Sequence, residues 1–172
     1  MKKVIVATLI TVCVLSLSAQ KRYSVTINAG AGISMSSPDI TPFGIETMAH
    51  YNLNSHWALG GGTGFGQYDN ISVIPLYANM KYTINPQAKY NVFADCSAGY
   101  GFAPEKDKNG GFLFNPEFGV QHKLWDKIFS IAVGYESQKL ERLKSNSDNY
   151  VSGRFVEKLD LSSVSLKLGI IF

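Results

Sequence analysis

The chain is poor in cysteine, in charge and in long apolar runs, and each shortage excludes a class of protein. Two cysteines, Cys13 and Cys96, among 172 residues argue against a disulfide-stapled miniprotein and against a zinc module. Asp, Glu, Lys and Arg make up only 17% of the residues and hydrophobic residues 45%, which argues against a disordered tail and suffices for one domain. The formal charge of +3 falls to +1 once Lys2 and Lys3 are set aside, because the other 14 Lys and Arg nearly balance 13 Asp and Glu. No nucleic-acid-binding surface is expected from that balance. Past residue 20 no apolar stretch approaches the roughly 18 residues of a spanning helix.

What the sequence does contain begins with a leader. Lys2 and Lys3 precede an uncharged apolar run of 14 residues from Val4 to Leu17, and Ser16, Ser18 and Ala19 supply small residues for cleavage. Residues 1–19 are therefore expected to be a signal peptide, with the mature chain, 20–172, starting at Gln20. A membrane-anchoring helix is the alternative, but at 1.5 Å per residue this run spans only about 21 Å, short of a hydrocarbon core of roughly 30 Å. Cys13 lies inside the apolar run, behind Thr11 and Val12, rather than after a small-residue box, so it reads as leader and not as a lipoprotein site. Cys96 is then the one remaining thiol, and no intrachain disulfide is expected.

From residue 23 onward the hydrophobic period is two. Tyr23, Val25, Ile27, Ala29, Ala31 and Ile33 alternate with Ser24, Thr26, Asn28, Gly30, Gly32 and Ser34, the pattern of a strand with one apolar face. The same alternation recurs over about 43–51, 57–68, 73–84, 90–102, 112–122, 128–138 and 161–172, so eight strands are expected. Short turns near 52–55, 85–88 and 124–127 alternate with connections at 36–39, 68–70, 103–111 and 139–160. The short turns are placed on one rim and the other connections, two of them long, on the opposite rim.

The apolar faces include Phe43, Ile45, Trp57, Leu59, Phe65, Leu76, Met80, Phe118, Ile131 and Leu168, and no charged residue falls on any of them. The opposite faces carry Glu46, His50, Lys81, Asp95, Glu117, Glu136 and Lys167 among Ser, Thr, Asn and glycines. A water-soluble barrel would reverse this polarity. Three features point instead to a membrane. Strands of 9–13 residues can cross an apolar band of about 25 Å when tilted. Aromatics gather near strand ends, with Tyr23, Tyr51, Trp57, Tyr90, Phe129 and Phe172 toward one rim and Tyr100, Phe102, Phe112, Phe114 and Tyr135 toward the other. The strand number is even and both termini fall on the short-turn side. The expected fold class is all-β: an eight-stranded antiparallel up-and-down transmembrane β-barrel following an N-terminal signal peptide. Gly60, Gly62, Gly64 and Gly66 are expected to point into a narrow lumen. Their run matches neither a dinucleotide fingerprint nor a P-loop, and no helix follows it.

These residues resemble the small outer-membrane β-barrels of the OmpA/OmpX type, especially the short porin-like barrels of Bacteroidetes. The resemblance extends over the mature chain and is most specific in the last strand, where Val164, Leu166, Leu168, Ile170 and Phe172 alternate back from a terminal phenylalanine. It implies that these five residues form the signal read by the barrel assembly machinery, and that the protein resides among outer-membrane lipids. Weaker similarities lie in residues 74–82 and in the pairs Gly99–Tyr100 and Gly134–Tyr135.

The interior charges invite a catalytic or proton-path reading, yet unpaired charge in a narrow lumen is costly and mutual pairing is simpler. Lys81 with Asp95, and Glu136 with Lys167, are the expected pairs, both in the half nearer the short turns. Together with Glu46 and Glu117 they are expected to form a polar plug, and eight strands leave little room for a conducting pore. A lipid-modifying barrel enzyme would need a His–Ser pair with an acid near the outer rim. Tyr135, Glu136 and Ser137 offer the acid and the serine, but His50, His56 and His122 fall near the short turns, too scattered for a metal site as well. No catalysis, cofactor or metal is expected, and a monomer is. The connection 139–160 reads as a solvated hairpin extension or as a surface ligand site, and Glu105 to Lys108 as solvated turn chemistry.

Overall fold

The computed structural model describes residues 22–37, 39–69, 71–105, 108–148 and 151–172; the expected signal peptide, 1–19, lies outside the described residues. Within them the alternation of apolar and polar side chains becomes eight long strands: β1 (Tyr23–Ser34), β2 (Pro42–Asn52), β3 (Trp57–Tyr68), β4 (Ile71–Thr83), β5 (Tyr90–Phe102), β6 (Gly111–Leu124), β7 (Lys127–Asp148) and β8 (Val151–Ile171). Each pairs antiparallel with the next in sequence, and β1 also pairs with β8 from Thr26↔Ile171 to Ser34↔Ser163, which closes the cylinder. A two-residue strand, Lys108–Asn109, adds to the rim by pairing with Arg142 and Glu141 of β7.

The polarity is inside-out. Leu76, Phe118, Ile131, Val133 and Leu168 are each about half exposed (61%, 58%, 49%, 53% and 59%), whereas Asp95, Glu117, Glu136 and Lys167 are all buried. Their alternation along the same strands leaves one arrangement: aliphatic and aromatic side chains outward, ionisable ones within. Val25 departs from the expected outward set and is 3% exposed. Aromatic contacts mark both rims, with Tyr23 edge-on to Tyr51 at 5.2 Å and Trp57 4.7 Å from Tyr82 on the short-turn side, and Tyr100 5.0 Å from Phe102 on the other.

Strand ends differ from expectation chiefly in the last hairpin. The hairpin extension read over 139–160 is regular strand rather than a connection: β7 reaches 22 residues and β8 21, in unbroken register up to Asp148↔Val151. Among its described side chains, Arg142 meets its register partner Glu157, and Glu141 its partner Lys158 at 3.9 Å. The hairpin therefore extends past the barrel rim as a two-stranded ribbon.

Prolines interrupt the ladder without opening the sheet. The β3–β4 register skips from Thr63↔Leu76 to Gly66↔Val73 around Pro75, and the β6–β7 register skips from Phe114↔Ser137 to Glu117↔Gly134 around Pro116. A proline has no N–H to contribute. Each is tolerated because its other neighbour still pairs, as Pro75 does with Gly101 and Pro116 with Cys96.

The glycines of β3 are not equivalent. A Cβ on Gly60 would lie 2.1 Å from the Ala49 carbonyl oxygen and 2.9 Å from the His50 Cα, so β2 itself forbids a side chain there. On Gly66 the nearest atom would be the Tyr68 ring at 3.3 Å. Gly60→Ala is expected to destabilise the barrel by about 2 kcal/mol, and Gly66→Ala to change stability by less than about 0.5 kcal/mol. Urea unfolding of the two variants in lipid vesicles checks this; equal losses would show that crowding of the lumen, not the approach of β2, requires the glycine.

Candidate functional site

All six charged residues expected in the interior lie on inward positions of six strands: Glu46 (β2), Lys81 (β4), Asp95 (β5), Glu117 (β6), Glu136 (β7) and Lys167 (β8). Their closest contacts follow the expected pairs only in part. The Lys167 ammonium donates to both carboxylate oxygens of Glu46, at 2.8 and 3.0 Å, and forms an ion pair with Glu117. Glu136 makes no direct ion pair with it. Lys167 is opposite Ala132 in the β7–β8 register while Glu136 is opposite Ser163, four residues further along β7, so membership of adjacent strands does not bring the two charges together. Glu136 instead accepts a hydrogen bond from the Tyr68 hydroxyl.

Lys81 and Asp95 do stand opposite each other in register, but their nearest contacts lie elsewhere. The Lys81 ammonium is 4.5 Å from the centroid of the Phe93 ring, a cation–π arrangement. Asp95 accepts from the Asn79 side-chain amide at 3.2 Å, and the same Nδ2 donates to Ser97 at 2.8 Å. The Asn79 carbonyl oxygen lies 2.7 Å from His50 Nε2 and can only accept, so His50 donates from Nε2. Further donors complete the Lys167 cluster: Asn115 to Glu117 at 2.9 Å and the Tyr77 hydroxyl to Glu46 at 3.4 Å.

The interior is not polar throughout. At the long-hairpin rim Ile40, Tyr68, Ile71, Val73, Leu140, Leu159 and Leu161 form a buried apolar cluster, with Leu140 1% exposed. Below it Gln138, fully buried, donates to the carbonyls of Gly111 and Lys139 at 3.2 and 2.8 Å. Leu140 and Leu159 belong to the segment read from the sequence as a polar connection. The signal was present, because the inward series 132, 134, 136, 138 continues to 140, but neighbouring charges masked it. The His50–Asn79 link had no local signal; it joins positions 29 residues apart that only the barrel brings together.

Between these layers little space remains. A cavity of about 40 Å³ lies under the apolar cluster, bordered by Tyr68, Glu136, Gln138, Glu46 and Lys167, and one of about 10 Å³ lies toward the short turns beside His50, Lys81 and Asp95. Glu46 borders the first, Glu117 the second and Lys167 both, so the ion cluster stands between them. The first has room for a few waters and the second for about one at most. Outside the spanning region, Lys108 and the Ser72 amide hold the Glu105 carboxyl below the usual carboxylate range. Among the described residues no group of three or more His, Cys, Asp or Glu is arranged to hold a metal ion.

Closed ladder, lipid-facing apolar wall and charged interior define a transmembrane β-barrel of the outer-membrane class. The chain matches the family described as outer membrane protein beta-barrel domain over residues 4–172, and it belongs to that family. The fold is similar to that of several solved outer-membrane proteins. OprG from Pseudomonas aeruginosa superposes with a TM-score of 0.64 at 9% identity, covering 87% of this chain and 94% of that one. Neisserial surface protein A superposes at 0.57 with 13% identity, covering 88% and 96%. AlkL, solved in lipid bilayers, gives 0.57 at 12%, covering 87% and 88%. No curated protein sequence matches the chain. The protein is thus an outer-membrane barrel of the Gram-negative type, set in membrane lipid.

Removing the central cation should be costly, because two carboxylates would be left unpaired in the lumen. Lys167→Met is expected to lower unfolding stability by about 3–5 kcal/mol, and the triple variant Glu46→Gln, Glu117→Gln, Lys167→Met to recover much of that loss. Denaturant titration in vesicles measures both; a triple variant no more stable than the single would show that the cluster contributes through packing rather than charge.

Proposed function

We propose that the protein is a non-catalytic outer-membrane barrel whose role is envelope structure or contact at the cell surface. The observation that carries this reading is the filled lumen: an apolar cluster at the long-hairpin rim, an ion cluster below it, and spaces of only about 40 and 10 Å³ on the two sides of the ion cluster. A solute path needs a continuous wet interior, and eight strands leave room mainly for side chains. The β7–β8 ribbon is where a surface ligand would be met, since it reaches past the rim and presents backbone edges to solvent. Non-catalysis is supported by the positions of the histidines. His56 and His122 border the short turns and His50 is held by Asn79, all toward the opposite end from Glu136 and Ser137.

The same reading takes residues 1–19 as a cleaved leader and the barrel as a monomer. It takes Val164, Leu166, Leu168, Ile170 and Phe172 as the assembly signal; the first four alternate on the outer face of β8, 36–59% exposed, and Phe172 follows that strand.

Planar-bilayer recording is expected to find no discrete conductance for the purified barrel. Steady channels abolished by widening the Lys167 side chain to Arg would favour the narrow-porin alternative instead. Overexpression is expected to leave lipid A mass spectra unchanged, and a new deacylated or otherwise altered species would support an enzyme. Replacing residues 143–156 by a two-residue Asn-Gly turn should leave heat-modifiable gel migration intact, because the ladder below it is complete without the ribbon.

A further inference from the structure

We propose that a groove at the long-hairpin rim, between the end of β5 and the foot of the β7–β8 ribbon, binds the pyranose ring of an uncharged saccharide. The groove is made by a break in register. Partners along β6 and β7 follow Leu113↔Gln138, and continuing that count would set Gly110 opposite Glu141. Asn109 takes that place instead, so one residue is extra and Gly110 forms a bulge. No side chain fits there, because a Cβ on Gly110 would lie 1.6 Å from the Gly101 carbonyl oxygen. The space left open is about 630 Å³, bordered by Tyr100, Phe102 and Ala103 on one side and by Lys108, Asn109 and Glu141 on the other. Its size falls within the range of small-molecule sites, about 300–1,000 Å³.

The two walls differ in chemistry. Tyr100 and Phe102 stand two residues apart on β5 with ring centroids 5.0 Å apart, and both are exposed. The Tyr100 hydroxyl donates to the Gly110 carbonyl at 2.9 Å, which ties that ring to the bulge. Aromatic faces carry partial negative charge and suit the C–H groups of a sugar ring. On the other wall Asn109 is exposed, and its side-chain amide has no partner among the described residues. It offers both a donor and an acceptor to neighbouring hydroxyls. The charged groups of the groove are already matched, Lys108 with Glu105 and Glu141 with Lys158. A phosphate or an amine would have to compete with those pairs. A neutral ring with one apolar face and a border of hydroxyls uses both walls and leaves the pairs intact. The inference deepens the proposed contact at the cell surface and rests on that reading; the same ring chemistry belongs to a glycolipid of the outer leaflet or to a free saccharide.

The test is saturation-transfer NMR of the folded full-length barrel in phosphatidylcholine nanodiscs, with the methyl pyranosides of glucose, galactose, mannose and N-acetylglucosamine as probes. Wild type is expected to bind at least one of them at millimolar concentration, and Phe102→Ala and Asn109→Ala each to weaken that binding by about fivefold. Phe129→Leu, an aromatic loss at the opposite rim, is expected to leave it unchanged. No transfer to any probe overturns the site, as does binding that survives both groove variants or falls equally in Phe129→Leu. Displacement by millimolar inorganic phosphate or tetramethylammonium would show that the groove reads charge, and likewise rejects it. Lipopolysaccharide added to the nanodiscs separates the two sources: a glycoside then excluded identifies the leaflet glycolipid as occupant, and one still bound identifies a free saccharide. Lack of transfer leaves the non-conducting, non-catalytic barrel standing, whereas discrete conductance or altered lipid A overturns that reading and not the groove. Heat-modifiable migration verifies folding, and if Phe102→Ala does not fold, Phe102→Leu is read against the same outcomes.

Discussion

In hydrocarbon an unpaired backbone amide or carbonyl has no water to fall back on, and the cost of several kcal/mol for each such group decides the rest of this structure. A sheet with free edges would leave a whole row of them. The pairing of β1 with β8 removes both edges at once, and every other long strand lies between two sequence neighbours. Pro75 and Pro116 are admitted because each disturbs the ladder on one side only. The short turns follow from the same demand, since neighbouring strands that pair along their full length need only a few residues to reverse direction.

Closure with eight strands makes the interior narrow, and that narrowness is what gives the charges their arrangement. A carboxylate placed there has neither bulk water nor space to avoid its neighbours, so Glu46 and Glu117 converge on one ammonium, and Glu136 and Asp95 are met by Tyr68 and Asn79. The apolar cluster of Ile40, Val73, Leu140 and Leu159 completes the filling at one end. Beyond that rim the backbone is wet again, and β7 and β8 continue as a ribbon held by its own ladder and by ion pairs worth little individually in water.

The outer wall and the rims share a division of labour. Aliphatic side chains occupy the middle of the strands, aromatics their ends, and lysines the short-turn edge, which is the order of dielectric from hydrocarbon to headgroup to water. What departs from this plain gradient is the hairpin that projects past one rim.

The sequence by itself determined the all-β class, the eight strands, the inside-out polarity and the inward placement of the six charged residues. All of these follow from a period of two, which is local and survives without knowledge of neighbours. It also contained, though less legibly, the continuation of β7 and β8, because Leu140 and Leu159 keep the inward period while charged neighbours imitate a loop. Tertiary structure alone decided which charge meets which. Pairing depends on the stagger between strands and on contacts across the cylinder, so Glu136 stands four residues from the level of Lys167, while Glu46, 121 residues away along the chain, lies within 3 Å. A repeat along one strand carries no information about distance across a closed barrel, and it is that distance that sets the electrostatics of the lumen.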